Sequence, residues 1–300
     1  MTDDHTVTAG RLIKGVGGIY TIYTADGVEV KGKPRGLFRN EGMIPIIGDH
    51  VSLSPSGDAD IPYRIEEIFP RKNALIRPPV SNIDVLVITV SCHSPKPDPK
   101  LIDKLLILCG SKSIHPLIWI TKADLDYNRA EDLCELYESI GYETEISAVT
   151  EDTDEIAFTR HDELDGKTII FAGQSGVGKS TLCNALIGSD HMEIGRVSVK
   201  LHRGKHTTRH VELIPFGDKG GFIADTPGFS SLSLTDLGIA IEEIPLGYPE
   251  LGKIKDHCRF QDCRHMGEEG CALSRDTMSP ERLTRYREFM TEIKNAKKYR

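Results

Sequence analysis

The sequence predicts an α/β fold in three parts, and three patterns along its 300 residues indicate this. Short β-type runs come first, strands then alternate with helices, and a cysteine and histidine cluster finally precedes a last helix. These patterns predict a small barrel, a parallel sheet covered by helices, and a metal-binding helical segment. Because the hydrophobic periodicity changes near Pro78 and again beyond Leu234, we place the domains at residues 1–77, 78–234 and 235–300.

The first domain is predicted to be a five-stranded barrel of the OB type. Its strand-like runs are separated by turn signals and lie at Gly18–Thr24, Val28–Val30, Asp49–Leu53 and Tyr63–Ile68. The segment Lys31–Arg39 is predicted to be a Gly/Pro-rich loop with four cations and one aromatic residue. It is either a solvated loop or an electrostatic and stacking contact for RNA.

The second domain alternates buried strands with helices. The strands are predicted at Ile83–Val90, Pro116–Thr121, Glu143–Ser147 and Lys167–Ala172, and the helices at 99–110 and 129–140. Asp98 can cap the first helix, with Pro99 in its first turn. This alternation predicts a parallel sheet with helices on both faces.

The charge and hydropathy of the sequence argue against a nucleic-acid coat protein and against a membrane or secreted protein. The formal net charge of −8 argues against indiscriminate coating of nucleic acid, which needs many cations. No apolar run approaches the roughly 18 residues of a membrane helix, and the polar N-terminus does not resemble a signal peptide. We therefore expect a cytoplasmic protein that does not bind membranes.

A phosphate-binding loop lies between a predicted strand and a predicted helix. Backbone N–H groups in such a loop surround phosphates, Lys179 should reach the β- and γ-phosphates, and Ser180 should bind Mg²⁺. The loop reads G-Q-S-G-V-G-K-S-T and comprises Gly173, Gln174, Ser175, Gly176, Val177, Gly178, Lys179, Ser180 and Thr181.

Two later segments are predicted to sense the γ-phosphate. A strand ends in D-T-P-G, where Asp225 can hold the Mg²⁺ water shell and the N–H of Gly228 can contact the γ-phosphate. Between the loop and this strand, Thr207 or Thr208 can close over Mg²⁺; we assign the Mg²⁺ contact to Thr208. Loops of this kind order and relax with the nucleotide state.

The sequence does not identify the residue that activates the attacking water. Phe229 follows D-T-P-G where many GTPases place a glutamine, and a phenyl ring cannot hydrogen-bond to water. We therefore expect slow intrinsic hydrolysis. His206 is the nearest catalytic candidate, and the alternative is a solvated loop histidine.

The residues predicted to read the base precede the phosphate loop. Asp124 can accept two hydrogen bonds from guanine, and Lys122 can lie along the base plane. Thr121 replaces the usual asparagine, so we expect one bracing contact to be missing. The candidate base site comprises Thr121, Lys122, Ala123 and Asp124 with Ser147 and Ala148, whose N–H can bind guanine O6. This order of motifs predicts a circularly permuted P-loop GTPase domain, because chain ends near each other can be relocated without losing the site.

Cys258, Cys263, His265 and Cys271 form the pattern C-x4-C-x-H-x5-C. Three thiolates and one imidazole satisfy a closed tetrahedral Zn²⁺ site, with no open position for a catalytic water. The alternative is a set of reduced thiols without a metal. We read the neighbouring His257 as a bystander.

Together, the OB-like start, T-K-A-D, the phosphate loop, G-K-H-T-T-R, D-T-P-G-F and the cysteine pattern resemble the RsgA (YjeQ/YloQ) family over nearly the whole chain. The resemblance implies a circularly permuted bacterial GTPase that binds the 30S ribosomal subunit and its 16S rRNA, assists late 30S maturation and is stimulated by the ribosome. It also implies GTP or GDP with Mg²⁺, one structural Zn²⁺, and rRNA contacts by the OB and zinc domains. We expect a monomer.

Two other functions remain open from the sequence. A nucleotide-gated rRNA-binding module with incidental hydrolysis is compatible with Phe229. An ATP-dependent kinase could use the same phosphate loop, although no acceptor site accompanies it.

Overall fold

A computed structural model describes residues 8–36, 38, 43–149, 156–157, 161–188, 211–225, 233–274 and 277–296. The chain divides into two compact units, one formed by residues 1–84, 161–170 and 183–227 and the other by residues 85–160, 171–182 and 228–300. The three predicted domains remain a prediction. Within the described ranges, no helix is long and apolar enough to cross a membrane.

Five strands of the first unit close into a barrel, as predicted. They are β1 (Thr8–Val16), β2 (Ile19–Thr24), β3 (Glu29–Pro34), β4 (His50–Pro55) and β5 (Tyr63–Ile68), in the order β1-β2-β3-β5-β4. Only the β3–β5 pair is parallel. Strands β6 (Ala74–Leu75) and β7 (Val80–Ser81) follow as a short antiparallel pair.

The predicted basic loop is wrong in part, because Lys31 to Pro34 belong to β3. Gly32 faces the barrel interior, where an added Cβ would meet the side chains of Ile22 and Ile65. Phe38 is only 7% exposed and packs in the barrel core, so its ring cannot stack on an RNA base. A phenyl ring in the core is removed from water more completely than a ring on an exposed loop. This hydrophobic gain explains why Phe38 lies in the barrel core.

A second sheet has six strands in the order β10-β9-β8-β13-β15-β14. Strands β8 (Val85–Ser91), β9 (His115–Thr121) and β10 (Glu143–Ile146) are parallel to one another. The other three strands of this sheet are β13 (Thr168–Ala172), β14 (Ile214–Phe216) and β15 (Gly221–Asp225). A separate two-stranded sheet contains β11 (Ala148–Val149) and β12 (Ile156–Ala157). The six-stranded sheet is not wholly parallel as predicted, because β14 and β15 form an antiparallel hairpin whose tight turn uses positive φ at Gly217 and Gly220.

Helices begin and end close to the predicted positions. They are α1 (Pro99–Lys112), α2 (Tyr127–Ile140), α3 (His161–Leu164), α4 (Lys179–Gly188), α5 (Pro249–Gly252) and α6 (Pro280–Ala296), with 3₁₀ helices at Ile241–Gly247 and Lys255–His257. Asp98 caps α1 by accepting hydrogen bonds from the N–H groups of Lys100 and Leu101, as predicted. Ser279 Oγ accepts a bond from Arg282 N–H at the start of α6.

Within the second unit, the C-terminal segment packs directly on α1. An added Cβ at Gly110 would lie 2.5 Å from the Leu246 carbonyl oxygen, and one at Gly247 would lie 2.5 Å from Ile107 N, so only glycine permits this approach. Asp103, which is fully buried in α1, accepts hydrogen bonds from Arg282 Nη1 and from Arg285 Nε at 2.5 Å.

Arg282 of α6 also donates from Nε to Glu250 Oε1 at 2.6 Å. Burial alone would lower the pKa of Arg282, but Asp103 and Glu250 raise it above its ordinary value. The guanidinium therefore stays charged, and both carboxylates have a partner in this buried cluster.

Candidate nucleotide and metal sites

The phosphate loop joins β13 to α4. Every residue of β13 is buried, and the next residues turn through positive φ at Gly173, Gly176 and Gly178. An added Cβ at Gly173 would lie 2.3 Å from the Thr89 carbonyl oxygen, so no other residue fits there. Lys179 Nζ donates to the carbonyl oxygens of Gly173 at 3.1 Å and Gln174 at 2.7 Å. The ammonium group is thus held beside the backbone of the loop.

The remaining residues of the phosphate loop differ in their burial. Val177 is buried, Ser180 is half-buried in the first turn of α4, and Ser175 and Thr181 are exposed. Leu182 N–H donates to the Gly178 carbonyl at 3.0 Å, which begins the helix. The N-terminus of α4 therefore lies at the phosphate loop, and this is the arrangement in which a helix N-terminus binds anions.

Thr121 ends β9 and contacts the phosphate loop. Its hydroxyl, in a residue 5% exposed, donates to the Val177 carbonyl at 2.6 Å. The sequence predicted that the amide contact of an asparagine would be missing at this position, and the threonine hydroxyl makes a different contact, to the loop backbone. Gly178, the next residue of the loop, has φ +99°, a conformation that residues with a side chain rarely adopt.

Lys122 links three segments of the site. Its Nζ donates to the Gly176 carbonyl at 2.9 Å and to the Ser94 carbonyl. Ser94 was not predicted as a site residue, although it follows the carboxyl end of β8, where ligands bind in parallel sheets. The adjacent Pro95 is also near the loop, because its Cδ would lie 4.0 Å from an added Cβ at Gly176.

The remaining base-site candidates surround this point. Ala123 is buried, and its N–H donates to the Ser147 carbonyl at 3.3 Å, while Ser147 N–H donates to the Ile120 carbonyl at 2.9 Å. Asp124 is exposed and Ala148 is half-buried. The two predicted base-contacting segments are therefore joined to each other and to the phosphate loop.

Among the residues predicted to lie around the γ-phosphate and Mg²⁺ after the phosphate loop, the structure describes Asp225. Asp225 is the last residue of β15, which confirms the strand but not the role of its carboxylate. His206, Thr207, Thr208, Gly228 and Phe229 lie outside the residues that the structure describes. Their assignments remain predictions.

The four predicted metal ligands lie together. One ligand atom from each of Cys258, Cys263, His265 and Cys271 falls within 4.8 Å of all the others. His265 Nδ1 is 3.7, 3.8 and 3.3 Å from the sulfurs of Cys258, Cys263 and Cys271, respectively. Tetrahedral Zn²⁺ with ordinary bond lengths separates sulfur and nitrogen ligands by about 3.5 Å. These residues fit a closed metal site.

Without a cation, the imidazole of this cluster is in its ligating protonation state and the Cys263 thiol is not. Burial raises the pKa of Cys263 to about 12 and lowers the pKa of His265, which keeps its imidazole neutral. Metal binding would therefore release thiol protons. Ala272 N–H donates to Cys258 Sγ at 3.4 Å, and Tyr286 of α6 donates to the Arg264 carbonyl at 2.8 Å, so the loop is also attached to the last helix.

Comparison with known proteins agrees with this geometry. The family model described as RsgA GTPase matches residues 68–235, and the model described as RsgA N-terminal domain matches residues 9–60. A protein of Ruminiclostridium cellulolyticum named small ribosomal subunit biogenesis GTPase RsgA is 40% identical, over 97% of this chain and 95% of that protein. One of the same name from Bacillus velezensis is 39% identical, over 96% and 98%.

Solved structures match over the same length. The crystal structure of YloQ, described as a circularly permuted GTPase, aligns with TM-score 0.75 and 33% identity over 99% of this chain and 98% of that one. YjeQ from Thermotoga maritima aligns with TM-score 0.74 and 28% identity over 96% and 98%. With the barrel and the cysteine cluster, these matches confirm the predicted fold class.

Proposed function

The chain belongs to the RsgA GTPase family, and from that premise we propose that it hydrolyses GTP to GDP and phosphate in the biogenesis of the small ribosomal subunit. One observation carries the proposal beyond the family name. The base-reading segment and the phosphate loop, in reversed order along the chain, are joined by the Thr121–Val177 and Lys122–Gly176 hydrogen bonds into one site.

In this proposal, each segment of the site has a separate task. Asp124 accepts hydrogen bonds from guanine, and the Ala148 N–H contacts guanine O6. The backbone from Gly173 to Thr181 surrounds the phosphates, and Lys179 exchanges its carbonyl partners for β- and γ-phosphate oxygens. A Mg²⁺ ion held by Ser180 and Thr208 would neutralise charge on the phosphates.

Hydrolysis requires a water positioned in line with the γ-phosphorus, and the bond to the oxygen bridging the β- and γ-phosphates breaks. We assign the γ-phosphate contact to the Gly228 N–H and the Mg²⁺ water shell to Asp225, with Thr207 as the alternative to Thr208 over Mg²⁺. We keep His206 as the candidate that positions the water. With Phe229 in place of a glutamine, the small subunit is proposed to complete this arrangement, so turnover depends on the bound partner.

We further propose that the cysteine and histidine cluster holds one structural Zn²⁺. Its closed set of four ligands supports this, because a catalytic zinc keeps one position open. The partner is the 30S subunit through its 16S rRNA, and the protein acts as a cytoplasmic monomer that binds with GTP and leaves after hydrolysis.

Turnover and sedimentation with purified 30S subunits test the proposal. We expect strong stimulation of GTP hydrolysis by 30S subunits, and co-sedimentation with a non-hydrolysable GTP analogue but not with GDP. Analogue-dependent binding without stimulation would instead support the nucleotide-gated rRNA-binding module that Phe229 leaves open. Equal competition by ATP would contradict guanine recognition.

A further inference from the structure

A cavity of about 630 Å³ lies within the first unit. Arg11 of β1 and Phe69, directly after β5, line it from the barrel, and Asp84, Thr168 and Phe222 line it from the other side. Cavities of about 300–1,000 Å³ are the usual size for small organic ligands. Thr168 begins β13, and the phosphate loop follows the opposite end of that strand, so this cavity is separate from the candidate nucleotide site.

Neighbouring positions across the barrel form one wall of the cavity. Arg11 pairs with Tyr23 of β2 on one side and with His50 of β4 on the other. The Phe69 N–H donates to the His50 carbonyl at 2.9 Å, which extends this row beyond β4. Arg11 precedes the fully buried Leu12, and because side chains alternate across a strand, Arg11 faces away from the barrel core. The wall therefore carries one guanidinium among three rings.

Arg11 is only 8% exposed, yet most of its hydrogen-bond donors have no partner. Its Nε donates to the Gly48 carbonyl at 3.3 Å, and its Nη2 donates to the Asn82 carbonyl at 3.0 Å. A guanidinium has five N–H donors, so three lack an acceptor among the residues that the structure describes. Because buried polar groups are normally hydrogen-bonded, these donors suit an acceptor that enters the cavity.

The lining has one more positive than negative charge. Lys72 Nζ lies 2.8 Å from Asp84 Oδ1, so these two residues balance each other and Arg11 remains. Burial lowers the pKa of Arg11 to about 10, which leaves the guanidinium charged near neutral pH. Burial, and then the charge of Arg11, lower the pKa of His50, which keeps the imidazole neutral there. The surplus favours a ligand with a single negative charge.

Two nearby carboxylates lie outside the lining. Asp49 accepts bonds from Arg71 Nε at 2.7 Å and from Arg71 Nη2 at 2.8 Å. Glu29 of β3 pairs with Tyr23 and is therefore two strand spacings, about 9.6 Å, from Arg11. Neither residue occupies the free donors of Arg11.

Phe69 gives the cavity an exposed aromatic ring. The buried Phe222 has the guanidinium carbon of Arg11 4.8 Å from its ring centroid, and Tyr23 meets it edge-on with the centroids 5.6 Å apart. Phe69, by contrast, is 36% exposed. Aromatic rings pack favourably in offset or edge-to-face arrangements. An apolar ring surface and an underused cation thus line the same cavity.

We propose that this cavity binds a small aromatic carboxylate. The ring of the ligand packs on Phe69, and its carboxylate accepts hydrogen bonds from the guanidinium of Arg11. A carboxylate matches the single surplus charge, whereas a phosphate monoester carries about −1.5 to −2 at neutral pH. This inference goes beyond GTP hydrolysis and does not depend on it.

Calorimetric titration of the full chain with naphthalene-2-carboxylate tests the inference. This probe combines a planar ring with one carboxylate. The alcohol 2-naphthalenemethanol keeps the ring without the charge, and cyclohexanecarboxylate keeps the charge without the aromatic ring. We expect one saturable site per chain for the probe, with the same affinity in saturating GDP. The alcohol should bind about 10- to 100-fold more weakly, because the hydrogen bonds to a charged acceptor are lost.

Two variants locate the site. Phe69→Ala should weaken binding of the probe about tenfold. Its control is Phe260→Ala, which removes an exposed ring from the other unit. Arg11→Gln should remove the preference for the carboxylate over the alcohol. Its control is Arg35→Gln, because Arg35 belongs to the same unit, pairs with Glu66 and does not line the cavity. Both controls should bind the probe as the wild type does.

Several results would overturn the inference. They are the absence of saturable binding to the wild type, equal binding of the alcohol or of cyclohexanecarboxylate, and wild-type affinity in Phe69→Ala. Displacement of the probe by GDP would also overturn it, because the probe would then occupy the candidate nucleotide site. Circular dichroism checks the folding of each variant. If Arg11→Gln does not fold, the comparison of the carboxylate with the alcohol in the wild type decides whether the ligand's charge is recognised.

Discussion

At the scale of one residue, Thr121 connects two distant segments of the candidate site through a single hydrogen bond. Its hydroxyl donates to the Val177 carbonyl at 2.6 Å, across 56 positions of the chain. A threonine side chain is shorter than the expected asparagine, yet its hydroxyl lies within hydrogen-bond distance of the loop backbone. The hydrogen bond therefore positions the phosphate loop against the candidate base site.

Thr121→Val keeps the shape and removes the donor. The Val177 carbonyl would lose its bond in a buried position, which costs about 1–2 kcal/mol. We expect GDP to bind roughly 5- to 30-fold more weakly, measured by titration with a fluorescent GDP analogue. Thr121→Ser retains the hydroxyl and should stay near wild type; unchanged affinity in the valine variant would show that the bond does not position the loop.

Cys263 gives a second prediction at this scale. Cys263→Ser removes one of four clustered ligands, so zinc measured in the purified protein should fall from about one per chain to near zero. The melting temperature should fall with it, because metal binding stabilises the folded loop. Cys134→Ser, outside the cluster, is the control and should retain zinc. Full zinc content in Cys263→Ser would reject this ligand set.

At the scale of elements, Asp84 ties the start of β8 to the start of β13. Its N–H donates to the Thr168 carbonyl at 2.9 Å, and its carboxylate accepts bonds from Thr168 N–H and Lys72 Nζ, both at 2.8 Å. Burial alone would raise the pKa of Asp84, but these two bonds and the positive charges of Lys72 and Arg11 together hold the pKa below its ordinary value.

The lowered pKa predicts how Asp84→Asn depends on pH. An acid whose pKa is depressed by folding contributes stability above its unfolded pKa of about 3.9, and this is lost as pH falls through the folded value. Urea unfolding should therefore show the variant less stable than wild type at neutral pH, with a smaller difference near pH 3. An Asp132→Asn control on α2 should change little at either pH, and a constant deficit in Asp84→Asn would contradict the ionic origin.

At the scale of the whole molecule, the predicted boundary at residue 234 separates segments that contact each other within the second unit. Tyr142 Oη donates to the Gly247 carbonyl at 2.8 Å, and Asp103 of α1 holds two arginines of α6. The C-terminal segment therefore covers the nucleotide domain as well as carrying the cysteine cluster.

A chain ending at residue 234 should be less stable than the full chain. Deleting residues 235–300 removes both arginine partners of Asp103, and the surface of α1 around Gly110 that the segment covers becomes exposed, so buried apolar area is lost. Thermal unfolding and GDP binding measure the effect. Asp103→Asn in the full chain isolates the ionic part. A shortened chain with the full-length unfolding midpoint would instead show that residues 235–300 are an independent domain.

The sequence by itself determined the features that depend on local spacing. The phosphate loop, T-K-A-D, the cysteine pattern, the cap at Asp98 and most strand and helix bounds each occupy a few consecutive residues, whose chemistry limits the local backbone. The reversed order of the two nucleotide motifs is likewise a property of the chain alone, and it indicated the permuted fold.

Only the tertiary structure decided which distant residues meet. It buried Phe38, put Lys31 and Lys33 on a strand beside Arg64, let Thr121 reach Val177, and surrounded Asp103 with Arg282 and Arg285. Such contacts join residues far apart in the chain, and the packing of whole elements sets their distances. Local propensity and spacing do not contain that information, which is why the motifs could be predicted and the bonds between them could not.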